Sequence, residues 1–263
     1  MKERLDVLLV RRGLCLSRER AKSEVKAGNV YVDGRKAEKA GMDCEETAIL
    51  EVKGETLRYV SRGGLKLEKA LAVFHLSPEG KTCLDCGAST GGFTDCMLQN
   101  GAKKVYALDV GTNQLAEKLR ADSRVVCMER FNARELKSSD LSEAPGFITA
   151  DVSFISLRLI LPALGSVLAH GGDIMVLIKP QFEAGRERLG KNGVVRDPKV
   201  HQAVLEELTL FFPTIGLYPQ NLSWSPIRGP EGNIEYLCHL RREDSGYMPD
   251  IPALVAEAHR ELK

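Results

Sequence analysis

The sequence predicts an α/β protein with a mostly parallel sheet, helices on both faces of that sheet, and a small α+β unit in front of it. From residue 81 onward, apolar runs alternate with helix-like segments, which is typical of parallel strands joined by crossover helices. Residues 174–178 form the clearest run, Ile-Met-Val-Leu-Ile, and such a run indicates a strand buried on both faces. The strand is expected to stop at Lys179, because Pro180 cannot continue a hydrogen-bonded ladder.

The first 60 residues are predicted to form one unit of two short helices and a small sheet. A leucine-rich face predicts a first helix that ends at Gly13, and Ser17 is expected to cap a second helix that ends at Gly28. The Asp33-Gly34 pair is typical of a tight hairpin turn. The predicted strands of this unit are residues 30–32, 49–52 and 57–60.

A connecting segment is predicted between this unit and the larger sheet. Arg62-Gly63-Gly64 is a candidate flexible hinge, since glycine has few backbone restrictions, and a one-sided apolar pattern predicts a helix over residues 65–74. The strand-like runs that follow are residues 83–86, 105–110, 125–128, 147–152, 173–178 and 234–240. The expected domains are the first unit at 1–60, the linker and first helix at 61–80, the sheet domain at 81–245 and a helical tail at 246–263.

The composition is that of a reduced, folded protein. The chain has 263 residues, of which 43% are hydrophobic, and a formal net charge of +1, so it can form a large core and is not strongly basic overall. The seven cysteines follow no disulfide framework, and Cys83-x-x-Cys86 lacks the further ligands that zinc needs, so no metal is predicted. Charges at the start of the chain and the lack of a long apolar stretch predict a cytoplasmic protein without signal peptide or membrane contact.

Positive charge is concentrated at the start of the chain. Residues 1–40 contain 11 Lys and Arg but 6 Asp and Glu, a local excess that favours binding to nucleic-acid phosphates. A solvated charged helix face would give the same pattern. The residues predicted to bind RNA are Arg4, Ser17, Arg18, Arg20, Lys22 and Arg35.

A glycine-rich turn follows the first strand of the predicted sheet. Its pattern from Gly87 is G-x-x-x-G-G rather than the G-x-G-x-x-G of dinucleotide-binding proteins, and no lysine follows it as in a P-loop. Asp109 ends the next strand, where its carboxylate can accept hydrogen bonds from a ribose diol. These features fit a site for a nucleoside without a phosphate group, of which S-adenosylmethionine is the common example. The alternative is a glycine turn that binds no ligand. The predicted cofactor-binding residues of the turn are Gly87, Ala88, Ser89, Thr90, Gly91, Gly92 and Phe93.

Four charged residues are predicted to meet beside this turn. Asp151 ends one apolar run and Lys179 ends the next, so both are expected at the carboxyl ends of neighbouring strands, where open α/β sheets bind ligands. Glu235 lies at the start of the last predicted strand, and Lys66 lies on the predicted helix that precedes the first strand of the sheet. Each alone is an ordinary charge or cap, but together they would place two cations and two anions beside one methyl donor.

The order Lys66, Asp151, Lys179, Glu235 around such a turn resembles the FtsJ/RrmJ class of RNA 2′-O-methyltransferases. The segment from Ser17 to Gly34 is similar to the alpha-L RNA-binding motif of ribosomal proteins and pseudouridine synthases. Longer strings resemble the TlyA (hemolysin A) family nearly end to end: SRGGLKL at 61–67, GASTGGFTD at 87–95, DVSFISL at 151–157, KPQFE at 179–183 and GPEGNIE at 229–235.

This resemblance implies a Rossmann-like fold with seven strands and S-adenosylmethionine-dependent methylation of a ribose 2′-hydroxyl, in cytidine, of ribosomal RNA. Lys179 is then the base or the stabiliser of the developing alkoxide, Asp151 orients it and contacts the donor, and Lys66 and Glu235 position the ribose. The further donor contacts implied are Val110 and Asn132. Ribosomal RNA or a ribosomal subunit is the implied partner, and helix patterns without a dimer seam favour a monomer.

Three other functions fit the sequence less well. A membrane-lytic protein, suggested by the older family name, would need a basic amphipathic or membrane-spanning segment that the sequence lacks. A non-catalytic RNA-binding factor on the same fold is disfavoured because all four charged positions are filled. A nicotinamide dehydrogenase is disfavoured by the missing G-x-G-x-x-G.

Overall fold

The computed structural model describes residues 2–15, 18–53, 58–190 and 193–262. The chain forms two compact units, Met1–Arg58 and Tyr59–Lys263. The finer limits expected from the sequence, with a separate linker and tail, stay a prediction. Over the described ranges, no helix is both long enough and apolar enough to cross a membrane.

The first unit contains two helices and two small sheets. Its elements are β1 (Lys2–Arg4), α1 (Leu5–Arg11), α2 (Arg18–Ala27), β2 (Val30–Val32), β3 (Arg35–Lys36), β4 (Asp43–Glu45) and β5 (Leu50–Val52). Strand β2 pairs antiparallel with β3 and β5, and β1 pairs antiparallel with β4. Leu5 and Leu8 of α1 pack with Ala21 and Val25 of α2 in a buried cluster, so the apolar faces of the helices form the core of this unit.

The predicted hairpin at Asp33-Gly34 is confirmed, because β2 and β3 pair on either side of it. Strands β1 and β4 were not predicted, since each has three residues and mostly charged side chains. The strand predicted at residues 57–60 is wrong over residues 58–60, which form bends. Leu57 and the predicted cap Ser17 lie outside the described residues.

The second unit is built on one large sheet. Its helices are α3 (Gly63–Phe74), α4 (Gly92–Gln99), α5 (Glu117–Arg120), α6 (Leu157–Val167), α7 (Pro180–Glu183), α8 (Pro198–Phe211) and α9 (Ile251–Glu261). Its strands are β6 (Thr82–Cys86), β7 (Lys104–Asp109), β8 (Val125–Glu129), β9 (Phe147–Ala150), β10 (Asp173–Ile178), β11 (Tyr218–Trp224) and β12 (Tyr236–Arg241). The seven strands have the order β11-β12-β10-β9-β6-β7-β8. Strands β6 to β10 pair in parallel, whereas β11 and β12 are antiparallel, which confirms the mostly parallel sheet.

Strand β10 lies inside the sheet, between β9 and β12. Val176 contributes to the hydrophobic cluster that α6, α8 and α9 cover, and Leu177 contributes to the cluster on the opposite face, under α3, α4 and α5. The prediction of a strand buried on both faces is therefore confirmed. Because β9 and β10 are parallel neighbours, the residues that follow each strand are brought to the same edge of the sheet.

Strand β11 was missing from the predicted strands. It lies at the edge of the sheet, and most of its residues are only partly buried, so it shows no continuous apolar run. Pro219 interrupts its pattern, and the register with β12 shifts beside this residue. An edge strand tolerates proline because one side of its backbone needs no partner.

The glycine pair predicted as a hinge is the first turn of α3. A Cβ atom on Gly64 would lie 2.3 Å from Cγ of Tyr59. A Cβ atom on Gly92, in α4, would lie 2.9 Å from the backbone nitrogen of Gly64. The glycines therefore let α3 approach its neighbours closely, and the hinge prediction is wrong.

Replacing Gly64 by alanine should destabilise the protein by about 1–3 kcal/mol, because the added methyl group would overlap Tyr59. Gly165→Ala in α6 is the matched control: a Cβ atom there would lie 3.5 Å from its nearest neighbour, and alanine favours a helix. Urea denaturation followed by circular dichroism would compare the variants. Equal midpoints would contradict this account of the glycine.

Candidate active site

The glycine-rich turn joins β6 to α4 at the carboxyl edge of the sheet. Gly87 has a φ of 83°, and a Cβ atom on it would lie 2.6 Å from the carbonyl oxygen of Asp151, so only glycine fits there. The N–H groups of Gly87 and Ala88 both donate to the carbonyl oxygen of Leu108, at 2.8 and 3.1 Å. The turn thus ties together the ends of β6, β7 and the segment that follows β9.

Asp109 ends β7 beside this turn. Its Oδ2 accepts a hydrogen bond from the N–H of Ser89 at 2.7 Å, and its Oδ1 accepts one from the N–H of Gly111 at 2.7 Å. The next residue, Val110, is 79% exposed. The two backbone bonds fix the carboxylate and leave it lone pairs for a further donor.

A cavity of about 470 Å³ opens beside this carboxylate. The predicted cofactor-binding residues that line it are Gly87, Ser89, Asp109, Val110, Asn132 and Asp151. Asn132 also caps a short turn, since its Oδ1 accepts from the N–H of Arg134 at 3.2 Å and its Nδ2 donates to Glu135 at 2.8 Å. The wall is otherwise largely apolar, with Leu108, Phe131 and Ile160.

A second cavity, of about 310 Å³, adjoins the first at the glycine turn. The predicted turn residues that line it are Gly87, Ala88, Ser89, Thr90, Gly92 and Phe93. Gly91 is absent from the described lining of both cavities. A Cβ atom on Gly91 would lie 2.2 Å from the side chain of Leu119, so this glycine serves packing.

The structure brings the four predicted charged residues into one network on the wall of the second cavity. Nζ of Lys66 lies 2.7 Å from Oε2 of Glu235 and 3.3 Å from Oδ2 of Asp151. Nζ of Lys179 lies 2.6 Å from Oδ1 of Asp151. Lys66 and Lys179 are each 7% exposed and Glu235 is 1% exposed, so the partly buried carboxylate of Asp151 bridges two buried lysines and the buried Glu235 pairs with Lys66.

Four different elements position these side chains. Asp151 follows β9, Lys179 follows β10, Glu235 precedes β12, and Lys66 lies in α3. Gly229 packs against Glu235, since a Cβ atom there would lie 2.7 Å from Oε1 of the glutamate. The network is therefore assembled by the order of the strands and by one close backbone approach.

Burial and pairing act on the network in opposite directions. Burial opposes the charged form of Lys66, but the carboxylates of Asp151 and Glu235 outweigh it and raise the pKa of this lysine. Burial likewise opposes ionisation of Asp151, but Lys66 and Lys179 outweigh it and lower the pKa of this carboxyl group. Lys66 and Asp151 are therefore both charged at neutral pH.

Sequence reasoning missed three residues next to Lys179. Ser153 accepts a hydrogen bond from Nζ of Lys179 at 3.0 Å; its only signal was its place in the DVSFISL string. Phe154 and Phe182 line a further cavity of about 880 Å³ that Lys179 also borders, with ring centroids 5.0 Å apart. Phe154 is 91% exposed and has a φ of 64°, which is a strained conformation for a bulky residue.

A buried acid beneath the turn was also missed. Asp85 in β6 is 1% exposed and accepts hydrogen bonds from Thr94 at 2.7 Å and Thr149 at 3.0 Å. Burial raises its pKa to about 6, and the two hydroxyl groups offset this only in part. Asp85 thus connects β6 to α4 and β9, the elements that carry the turn and Asp151.

The predicted RNA-binding residues differ in how far they are neutralised. Arg4 and Arg18 both form ion pairs with Asp6, whereas Arg20 pairs with Glu24. Arg4, Arg18, Lys22 and Arg35 are exposed and Arg20 is partly buried, while Ser17 lies outside the described residues.

Asp85→Asn should remove a pH dependence from the stability of the protein. The pKa of Asp85 rises from 3.8 to about 6 on folding, so ionisation favours the unfolded state and stability falls as the pH rises from about 4 to about 6. Relative to the variant, the wild type should lose about 2–3 kcal/mol over this window. Urea midpoints between pH 4 and pH 7 would measure this loss.

The control for this experiment is Glu206→Gln, at an exposed position of α8, which should keep the wild-type pH dependence. Parallel stability curves for the wild type and Asp85→Asn would show that the buried acid does not titrate as described.

Comparison with known proteins identifies both parts of the chain. The FtsJ-like methyltransferase family matches residues 59–242, and the S4 domain matches residues 3–50. "Putative rRNA methyltransferase YqxC" of Bacillus subtilis is 55% identical over 269 residues, covering 100% of this chain and 96% of that protein. "16S/23S rRNA (cytidine-2'-O)-methyltransferase TlyA" of Mycobacterium tuberculosis is 43% identical over 241 residues, covering 91% of this chain and 90% of that protein.

A solved structure from Streptococcus thermophilus, described as "Putative hemolysin", is 53% identical with a TM-score of 0.80, and the match covers 99% of this chain and 96% of that one. The similarity therefore extends over both units. With a family match over most of its length and relatives similar from end to end, this chain belongs to the FtsJ-like methyltransferase family.

Proposed function

We propose that this chain transfers a methyl group from S-adenosylmethionine to a ribose 2′-hydroxyl, in cytidine, of ribosomal RNA in the cytoplasm. One observation carries the proposal: Lys66, Asp151, Lys179 and Glu235 border the same cavity as the glycine turn. Membership of the methyltransferase family supports the reaction class. The name of the relative TlyA, which is a cytidine-2'-O-methyltransferase of 16S/23S rRNA, supports the substrate.

The residues at the glycine turn fit S-adenosylmethionine. The lack of a side chain at Gly87 lets a ligand approach the backbone, and the carboxylate of Asp109 keeps lone pairs for a ribose diol. The apolar wall of the 470 Å³ cavity suits an adenine ring, with Asn132 at its edge. When bound, S-adenosylmethionine supplies an electrophilic methyl group.

Lys179 is proposed as the group nearest the target hydroxyl. Asp151 and Ser153 occupy two of the contacts of its Nζ, which leaves a third for a ribose oxygen. As a neutral amine, Lys179 would accept the hydroxyl proton; as an ammonium, it would stabilise the negative charge that develops on the oxygen. Asp151 fixes Nζ in place for either role.

Lys66 and Glu235 are proposed to act mainly by positioning. Lys66 holds both carboxylates of the network and so keeps Asp151 ionised beside Lys179. Glu235 is proposed to contact the ribose together with Lys66. Correct placement of reacting groups can supply about 7–11 kcal/mol, more than a general base does, so this positioning is expected to dominate the rate.

The 880 Å³ cavity that borders Lys179 has room for a nucleotide. Unstacked RNA bases commonly stack on aromatic side chains, and the Phe154–Phe182 pair offers such a surface. The first unit is proposed to supply RNA affinity through phosphate contacts, which fix orientation without reading sequence. Its match to the S4 domain supports this role.

Lys179→Ala should lower methyl transfer by about 10²–10⁴-fold and leave donor affinity within about threefold of the wild type. The assay would supply tritiated S-adenosylmethionine and ribosomal subunits, or their extracted RNA, from cells that lack this protein. Digestion to nucleosides would show whether the label is in 2′-O-methylcytidine. Lys199→Ala, at an exposed position of α8, is the matched control and should keep the wild-type rate.

The same assay separates the proposal from its alternative. If the wild-type chain binds ribosomal RNA but transfers no methyl group to any of these substrates, the chain is a non-catalytic RNA-binding factor. A large loss of donor affinity in Lys179→Ala, measured by calorimetry, would instead show that this lysine is part of the donor site.

Asp109→Ala should have the opposite effect and weaken donor binding by about 10–100-fold, the value of a hydrogen-bonded charged group. The kcat at saturating donor should change far less, because Asp109 lines the first cavity and not the second one, which the lysine network borders. Calorimetry and the donor KM would measure this, with Glu117→Ala, at an exposed position of α5, as control. A fall in kcat at unchanged KM would rule out a donor-binding role.

A further inference from the structure

The first unit contains a buried carboxylate that has no part in the proposed methyl transfer. Asp6, in the first turn of α1, is 0% exposed. Arg4 donates to it from Nε to Oδ1 at 3.0 Å and from Nη2 to Oδ2 at 3.1 Å. Arg18 donates from Nε and Nη2 to the same Oδ2, at 3.3 and 3.1 Å. Two guanidinium groups therefore share one carboxylate.

This cluster keeps an unneutralised positive charge. Arginine stays protonated at neutral pH, and the hydrogen bond from Arg4, against the effect of burial, holds the pKa of Asp6 at about 2. In direct contact, two positive charges thus meet one negative charge, and Asp43, opposite Arg4 in the β1–β4 pair, adds only a weaker attraction to Arg4. The other arginines of this unit that pair with carboxylates differ, because Arg20 pairs with Glu24, whose other hydrogen-bond partner is the neutral Asn29, and Arg11 has two carboxylate partners.

The free donors of the cluster are held in place and accessible. The side chains of Arg4 and Arg18 are 49% and 54% exposed. In the part of the chain that the structure describes, neither Nη1 makes a hydrogen bond. Gly41 packs on the Arg4 guanidinium, since a Cβ atom there would lie 3.1 Å from Nη2. Two fixed guanidinium forks side by side match the geometry of a phosphate group.

We propose that Asp6 is a positioning residue that holds Arg4 and Arg18 together as a site for one phosphate group of the RNA backbone. Two guanidinium groups placed side by side repel each other; the carboxylate offsets part of this repulsion, and a bound phosphate offsets the rest. The choice of RNA as the source of the phosphate rests on the proposed function. The site itself does not depend on methyl transfer.

Asp6→Asn provides the sharpest test, because charge alone predicts the opposite result. The variant gains one positive charge, which by itself strengthens RNA binding. With the arginines released, we expect RNA binding to weaken about tenfold. The slope of the logarithm of the binding constant against the logarithm of the salt concentration should become smaller by about one, because one phosphate contact is lost. Filter binding of the full chain to deproteinised 16S ribosomal RNA at several salt concentrations would measure both. Glu38→Gln, at an exposed position of the same unit, makes the same charge change and should bind as tightly as the wild type or more tightly.

Arginine variants separate positioning from folding. If one phosphate is shared, Arg4→Ala and Arg18→Ala should each cost about tenfold in affinity, and the double variant little more than either. Adding Asp6→Asn to the double variant should then cost no further affinity. The comparison of the arginine variants remains valid even if Asp6→Asn alone lowers the melting temperature.

Three results would overturn the proposal: multiplicative losses for the two arginines, a further loss on adding Asp6→Asn to the double variant, or RNA affinity of Asp6→Asn equal to that of Glu38→Gln. Failure of the proposed function would look different, because methyl transfer would be absent while these affinities still followed the expected pattern.

Discussion

The pairing of buried charges among Lys66, Asp151, Lys179 and Glu235 is the constraint on which the site depends. A charge that is buried without a partner costs several kcal/mol, so each of these side chains can remain inside only while its partners stay in reach. The partners come from α3, the residue before β12 and the residues that follow β9 and β10. The network therefore specifies how these four elements meet at the edge of the sheet, and the sheet topology in turn makes the network possible.

Asp151 links this network to the glycine turn. Its carboxylate contacts two lysines, while its carbonyl oxygen lies 2.6 Å from where a Cβ atom of Gly87 would be. The buried Asp85 stabilises both the glycine turn and the segment that carries Asp151, because it accepts hydrogen bonds from Thr94 in α4 and Thr149 in β9. The separation between the proposed donor cavity and Lys179 is thus set by one residue and its packing, and in-line transfer between two bound groups requires such a fixed separation.

The sequence predicted those elements whose position depends on the local pattern of residues. A strand buried on both faces needs a continuous apolar run, so β10 and the lysine at its end could be located from residues 174–180 alone. Edge strand β11 could not, because a half-exposed strand with a proline has no such run. The glycines in the first turn of α3 were misinterpreted because glycine is used both for backbone flexibility and for close packing. Only the contact with Tyr59, which the sequence does not show, distinguishes the two uses. Asp85 and Asp6 gave no signal, since contacts distant in sequence bury them and bring Thr149 to Asp85 and Arg18 to Asp6.

The two charge clusters also differ in a way that matches the ligands proposed for them. The network at the sheet edge has two cations and two anions and is almost fully buried. A balanced network does not by itself attract a phosphate, and it suits a neutral hydroxyl beside a positively charged methyl donor. In the Asp6 cluster, two cations with half-exposed side chains contact one buried anion, so the cluster retains a charge that an anion can neutralise. The ratio of charges, more than the number of basic residues, thus distinguishes a site for a sugar hydroxyl from a site for a phosphate.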